Sequence, residues 1–444
     1  MVFELILQLV VFLGAIFIGI RLGGIAIGYT GGLGVVILGL FLGMKPGNIP
    51  WDVILIIAAA IAAISAMQQA GGLDYMVRIT ERILRAHPKF INYLAPACGW
   101  LLTILAGTGN AVFSLMPVVV DVAKSQNIKP SVPLSLMVVS SQIGITASPV
   151  SAAVVYMSGV LEPLGWNYPV LIGIWIVTTF IACMLTAFIV SIITPLDLSK
   201  DSVYQERLKA GLVKDEGEIL HSKDKPGAKL SVIIFLSAVL CVVFYATAIS
   251  DNIKLISPVI VKRDEAIMSF LLTAAALITL FCKIEPAKIL DTSVFKSGMT
   301  ACVCVFGVAW LGNTFVAGHE QQIKDLAGEW VRDYPAMLAV AFFFASTLLY
   351  SQAATAKAIT PIILTALGIS ATNPNDSYML VACFAAVSAL FVLPTYPTLL
   401  GAVQMDDTGS TRIGKFIFNH PFFIPGILAI VIAVILGFLI APLF

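Results

Sequence analysis

The amino-acid sequence predicts an all-α polytopic membrane protein. It is expected to contain two inverted-topology repeats, each with a re-entrant hairpin and a discontinuous transmembrane helix. Three observations lead there. The 444 residues are 59% hydrophobic and only 11% charged, where a soluble domain carries about 25% charged residues. Apolar runs of about twenty residues, long enough for a helix to cross the ~30 Å hydrocarbon core, recur from end to end. The Gly, Pro and hydroxyl residues that interrupt those runs appear in the same order in both halves.

The elements follow in order. VFELILQLVVFLGAIFIGI at 2–20 lacks a basic leader and an A-x-A cleavage site, so it is expected to be a retained span. Spans follow at 24–43 and 51–70, then a short pair around 107–110, then 134–160 and 168–193. DYMVRITERILRAHPKF, with Arg78, Arg82, Arg85 and Lys89, reads as an amphipathic surface helix against lipid headgroups. Residues 194–229 are the one long polar stretch, expected as a central cytoplasmic loop between a first repeat at 1–193 and a second at 230–444. The second repeat offers 230–249, 265–282, 297–316, a short pair around 351–355, 378–403 and 420–443. Pro46 and Pro286, Pro117 and Pro361, and Pro149 and Pro397 lie 240, 244 and 248 residues apart, the drift that loop insertions give an internal duplication. The leg at 335–350 would be about 24 Å long at 1.5 Å per residue, too short to span, so it is expected to turn back. Hairpins leave each half an odd number of crossings, which inverts the second half.

Orientation follows from the basic residues. With the N-terminus outside, 19 of the 26 Lys and Arg fall inside, six outside, and Lys357 is left in the membrane. Both termini and 161–167 are therefore expected outside, with 71–90, 194–229 and 405–416 inside. The glycines Gly24, Gly28 and Gly32 have the small-xxx-small spacing of close helix packing.

Four interruptions fall at membrane depth, where irregular backbone is tolerated only if it is buried in protein or lines a cavity. AGTGN at 106–110 offers Thr108, Gly109 and Asn110. TASP at 146–149 offers Ser148 as a cap and Pro149 at the first helical position. SQAAT at 351–355 offers Ser351, Gln352 and Thr355. PTYP at 394–397 offers Thr395, Tyr396 and Pro397. Four half-helices would begin there, each N-terminus with unpaired N–H groups and about half a positive charge. With Lys357 they predict a dry, donor-rich, positive site for a small anion with two carboxylates. A lone cation there also predicts an exchanger whose empty form crosses reluctantly. Lys357 has a second reading, as the structural partner of a buried acid such as Asp121 or Asp406, which are also the coupling or gating candidates.

Other classes find less support. Of the seven cysteines and four histidines only C-V-C at 302–304 has metal-ligand spacing, and it has no second pair, so neither metal nor cofactor is expected. A net charge of +1 disfavours nucleic acid as a partner and leaves the bilayer and the transported solute. Assembly into a homo-oligomer is left open. A membrane enzyme lacks a facing acid/base set, and repeats with matched breaks disfavour a channel. The chief rival is a cation- or proton-coupled anion symporter, or a cation/proton antiporter of similar fold.

SGMTACVCVFGVAWLGNTFV, LLYSQAATAKA, FVLPTYPTLLGAVQMDDTGSTRIGKF and NHPFFIPG closely resemble the anaerobic four-carbon dicarboxylate transporter (Dcu) family, nearest to its DcuA branch. SAMQQAGGLDYMV, ILAGTGN and ITASPVSAAVVYMSG carry the likeness through the first half. The resemblance implies a bacterial inner-membrane carrier exchanging fumarate, malate, aspartate and succinate, typically with succinate leaving. It also implies kinship with the wider ion-transporter superfamily, with its inverted repeats and paired hairpins.

Overall fold

The computed structural model describes residues 2–444 apart from 23–24, 50, 214–224, 251–252, 320, 323–333, 335, 395 and 417. The described residues are helical, with no strand beyond two isolated bridges. Among the described residues, seven helical stretches are long and apolar enough to cross a membrane, one of them the interrupted stretch Ser131–Leu164. In the first half the helices are α1 (Val2–Leu22), α2 (Ala26–Val36), α3 (Trp51–Gln69), α4 (Gly72–Ala86), α5 (Ile91–Ala106), α6 (Met116–Ser125), α7 (Ser131–Gly144), α8 (Ala152–Leu161) and α9 (Tyr168–Ile193). A short α10 (Ser202–Lys209) lies in the central segment. The second half has α11 (Ala228–Ala248), α12 (Arg263–Phe281), α13 (Pro286–Ile289), α14 (Ser293–Gly318), α15 (Met337–Leu349), α16 (Gln352–Ala366), α17 (Tyr378–Cys383), α18 (Pro397–Met405) and α19 (Phe423–Ile440).

The interruptions fall in matched places. Helix α5 ends at Gly107, whose positive φ turns the chain back, and α15 ends the same way at Tyr350, also with positive φ. Each is the tip of a hairpin whose returning leg is α6, after a 3-10 turn over Gly109–Ser114, or α16. The 13 residues of α15 reach about 20 Å, short of the hydrocarbon core. Residues 134–160 do not form one continuous span. The stretch breaks between α7 and α8, as the corresponding stretch breaks between the 3-10 turn Phe384–Phe391 and α18.

Packing between the halves is reciprocal. Helix α2 lies on α14 while α12 lies on α3, the leg α16 packs on α8 while Gly109–Ser114 packs on α18, and α9 meets α19. A pseudo-two-fold that exchanges the halves accounts for all of these pairs. Glycine sets the closest of them. A Cβ on Gly307 would lie 1.9 Å from the Gly28 carbonyl oxygen, and one on Gly31 2.4 Å from the Gly307 carbonyl carbon. The stripe that packs is therefore Gly28 and Gly31. Gly32 meets open space, and Gly24 lies outside the described residues. The expected four-residue spacing missed this because α2 presents i and i+3 to α14.

Helices α3 and α4 meet at a bend of 74°, at Gly71 with its positive φ. One face of α4 carries Arg78, Arg82 and Arg85, and Lys89 lies beyond its end in the 3-10 turn Pro88–Phe90. Arg85 does not simply face lipid: its guanidinium donates to Glu81 at 2.7 Å and to Asp121 on α6 at 2.6 Å, tying the surface helix to the first hairpin. The central segment is fastened nearby, where Arg207 Nε donates to the Asp407 carbonyl at 2.8 Å and Arg412 to Asp201 at 3.2 Å.

Candidate functional site

The four interruptions open on one cavity of about 340 Å³, within the size range of small-molecule sites. Thr108, Gly109 and Asn110 reach it from the first hairpin, Ser351 and Gln352 from the second, and Tyr396 and Pro397 from the start of α18. The second break contributes Ser151 to Ala153. Apolar walls come from Ile56, Ile57, Ala60 and Ile64 of α3, and Thr300 and Cys304 of α14 complete it. No carboxylate and no cation lines the cavity among the described residues.

Three of the four helix starts carry a hydroxyl cap, while Tyr396 before α18 caps nothing with its side chain. Asn110 N–H donates to the Thr108 hydroxyl at 3.3 Å, and Ala354 N–H to the Ser351 hydroxyl at 3.2 Å. At the second break the cap is Ser151, which accepts from Val154 N–H at 3.3 Å. The expected cap, Ser148, is fully buried and donates to the Ile104 carbonyl at 2.6 Å. That carbonyl is one of the acceptors left unpaired where α5 ends, and it claims the hydroxyl. Pro149 accordingly sits in the turn before α8 and not at its first position. Thr355 is likewise turned away from the cavity: its hydroxyl donates to the Ser351 carbonyl at 2.7 Å. Pro397 does occupy the first position of α18, after Tyr396; Thr395 lies outside the described residues.

The cavity therefore gathers N–H groups from several helix starts with the hydroxyls of Thr108, Ser351 and Tyr396 and the amides of Asn110 and Gln352. It is a donor-rich pocket with a positive field and no acid of its own, which favours an anion.

Lys357 lies one helical turn beyond Ala353, outside the cavity lining. Its ammonium donates to both oxygens of Asp52 and stands over the Tyr156 ring, 5.4 Å from the centroid. Neither acid weighed from the sequence is its partner. Asp121 bonds Arg85. Asp406 folds the loop after α18 by accepting from Thr411 N–H at 2.6 Å and Ser410 Oγ at 2.8 Å. Sequence reasoning missed Asp52, Ser151, Tyr156 and Tyr350. A hydroxyl directly before AAVVYM was a legible cap signal for Ser151, whereas nothing local marks Asp52 as the partner of a residue 305 positions away.

Comparison with known proteins then decides the family. The profile described as anaerobic C4-dicarboxylate membrane transporter matches residues 4–444. This chain belongs to the DcuA/DcuB family. It is 62% identical to the C4-dicarboxylate transporter DcuA of Wolinella succinogenes over 439 residues, covering 99% of each chain. It is 53% identical to the protein of that name in Escherichia coli K12, covering 98% of this chain and 99% of the relative. Among solved structures it is similar to the YdaH transporter of Alcanivorax borkumensis, with a TM-score of 0.51 at 13% identity, over 92% of this chain and 88% of that one. The chain is thus a multi-pass membrane protein of a transporter family, not an enzyme.

Proposed function

We propose that this chain is a secondary carrier exchanging C4 dicarboxylates across the bacterial inner membrane, taking in fumarate, malate or aspartate as succinate leaves. The observation that carries the reading is the convergence of four helix breaks on one acid-free, donor-rich cavity in a member of this family. Helix N-termini favour carboxylates, and two sets of them suit an anion charged at both ends. Thr108, Asn110, Ser351, Gln352 and Tyr396 supply the hydrogen bonds, and Lys357 supplies the cation at one end.

In this reading residues 1–193 and 230–444 are inverted repeats around a cytoplasmic segment at 194–229, and both termini are periplasmic. Cysteines placed at Ala371 and Asp74 test the orientation in intact cells: an impermeant thiol reagent should reach the first and not the second. The activity is tested by counterflow. Proteoliposomes preloaded with succinate should accumulate labelled fumarate or aspartate without an ion gradient. Uptake that requires a sodium or proton gradient, and ignores internal succinate, would replace exchange by the cation-coupled reading, for which Asp52, one turn before the lining residue Ile56, is the candidate acid.

A further inference from the structure

Asp52 stands where a substrate carboxylate would be needed. It lies one turn before Ile56 on α3, Tyr156 one turn after Ala152 on α8, and Lys357 one turn after Ala353 on α16; Ile56, Ala152 and Ala353 all line the cavity. The three helices leave the cavity together, so the Lys357–Asp52 bridge closes over one end of it. That end faces away from the central segment, which is fastened at the other side through Lys225 to the Gln69 carbonyl at the end of α3.

The two partners are unequal. The Lys357 side chain is 14% exposed and that of Asp52 is 45%. A buried cation that loses its partner pays a large desolvation penalty, whereas a carboxylate near solvent remains hydrated when it is released. Asp52 is also in the first turn of α3, where the helix dipole favours its charge. Opening the bridge is therefore easy for Asp52 and costly for Lys357, unless another anion reaches the ammonium. Tyr156 holds the ammonium over its ring face meanwhile.

Resting on the dicarboxylate reading, we propose that Asp52 is an internal stand-in for substrate: it holds Lys357 in the empty carrier and yields it to a substrate carboxylate, so that binding and unlatching of this end are one event. Asp52 is a positioning residue, acting through Lys357. A bridge closed nine-tenths of the time weakens apparent affinity about tenfold, because only the open fraction binds.

The test uses purified full-length carrier and succinate, measured by calorimetry. Asp52→Asn should bind succinate about tenfold more tightly than the parent, Asp52→Glu should restore the parental affinity, and Lys357→Gln should lose binding. In the parent, succinate should speed amide hydrogen exchange at residues 52–57, where the bridge anchors α3. This second measurement needs no variant to fold. Asp52→Asn binding as weakly as the parent or more weakly, or unchanged exchange at 52–57 on saturation with succinate, would overturn the stand-in role and leave the bridge structural. A parent that binds none of the dicarboxylates would instead sink the functional reading, and the stand-in role with it.

Discussion

Replacing Gly307 by Ala tests how far packing positions the site. The added Cβ would lie 1.9 Å from the Gly28 carbonyl oxygen and 2.6 Å from its carbon. An ordinary C–H···O contact needs about 3.3 Å, so α2 and α14 must part by about 1.4 Å. The obstructing atoms are the backbone of Gly28, and no rotamer change relieves them. Overpacking of this kind costs about 1–3 kcal/mol, and the upper end applies here. Helix α14 also carries Gly298, Thr300 and Cys304 to the cavity, and Cys304 is one turn from Gly307. Gly307→Ala should therefore lower stability in a denaturant titration of the detergent-solubilised carrier, and also raise the succinate concentration needed for half-maximal counterflow.

Gly32 is the control. Its Cβ position has no atom within 4 Å, so Gly32→Ala keeps only the helix-propensity gain of about 0.5–1 kcal/mol. Gly28→Ala should couple to Gly307→Ala. Once one methyl has parted the helices the second costs less, so the double variant is less destabilised than the sum. A Gly307→Ala carrier within about 0.5 kcal/mol of the parent, the ordinary scatter of neutral substitutions, would refute the packing argument. So would Gly32→Ala doing equal harm.

Two further outcomes follow from the ion pairs. Arg263 Nη2 donates to both oxygens of Glu162 at 2.6 Å, both side chains are nearly buried, and the guanidinium lies over the Tyr168 ring; Glu162→Gln strands this cation between the halves and should cost about 3–5 kcal/mol in the same titration, while Glu162→Leu with Arg263→Met recovers most of it. Asp201 caps α10 and bonds Arg412 and Lys129; burial pushes its pKa up, but bonds from Arg412, from Tyr204 N–H and from Lys129 outweigh that and hold it below the usual carboxylate value. Its contribution is thus complete above the usual value of about 3.9 and lost as pH falls through the lower folded value. Asp201→Asn at pH 7 should quicken tryptic cleavage after Lys209 about fivefold, for roughly 1 kcal/mol of lost capping, and a parent that loosens already at pH 6 would contradict the assignment.

The sequence shows the breaks more clearly than what the breaks touch. Gly107, Ser351 and Pro397 act through the backbone within a few residues, by positive φ, by capping and by helix initiation, and those effects are written locally. The hairpins and the split spans were therefore legible from punctuation alone. Choosing between Ser148 and Ser151 required knowing that the Ile104 carbonyl needs a donor from 44 residues away. Choosing between Gly31 and Gly32 required knowing which side of α2 meets α14. Asp52 was illegible for the same reason. In the sequence it is an acid at the first turn of a span, with the ordinary role of stabilising a helix start, and only the fold brings it to Lys357.

That contact changes the argument for obligatory exchange. With Lys357 alone, the empty carrier would have to carry an unpaired cation through a low-dielectric path, and return without cargo would be heavily penalised. With Asp52 as partner, the empty pair is neutral and the penalty largely disappears from the resting state. It reappears only while the bridge is open. On the proposed dicarboxylate reading, substrate keeps the bridge open without exposing the cation, one carboxylate meeting Lys357 and the other the helix N-termini. Preference for exchange then rests on the bridge being slow to open without an anion, and not on the empty carrier being charged. On the proposed exchange reading, the two fluxes are coupled through the lifetime of one ion pair, and the sequence position that tunes the coupling is Asp52, outside the cavity lining.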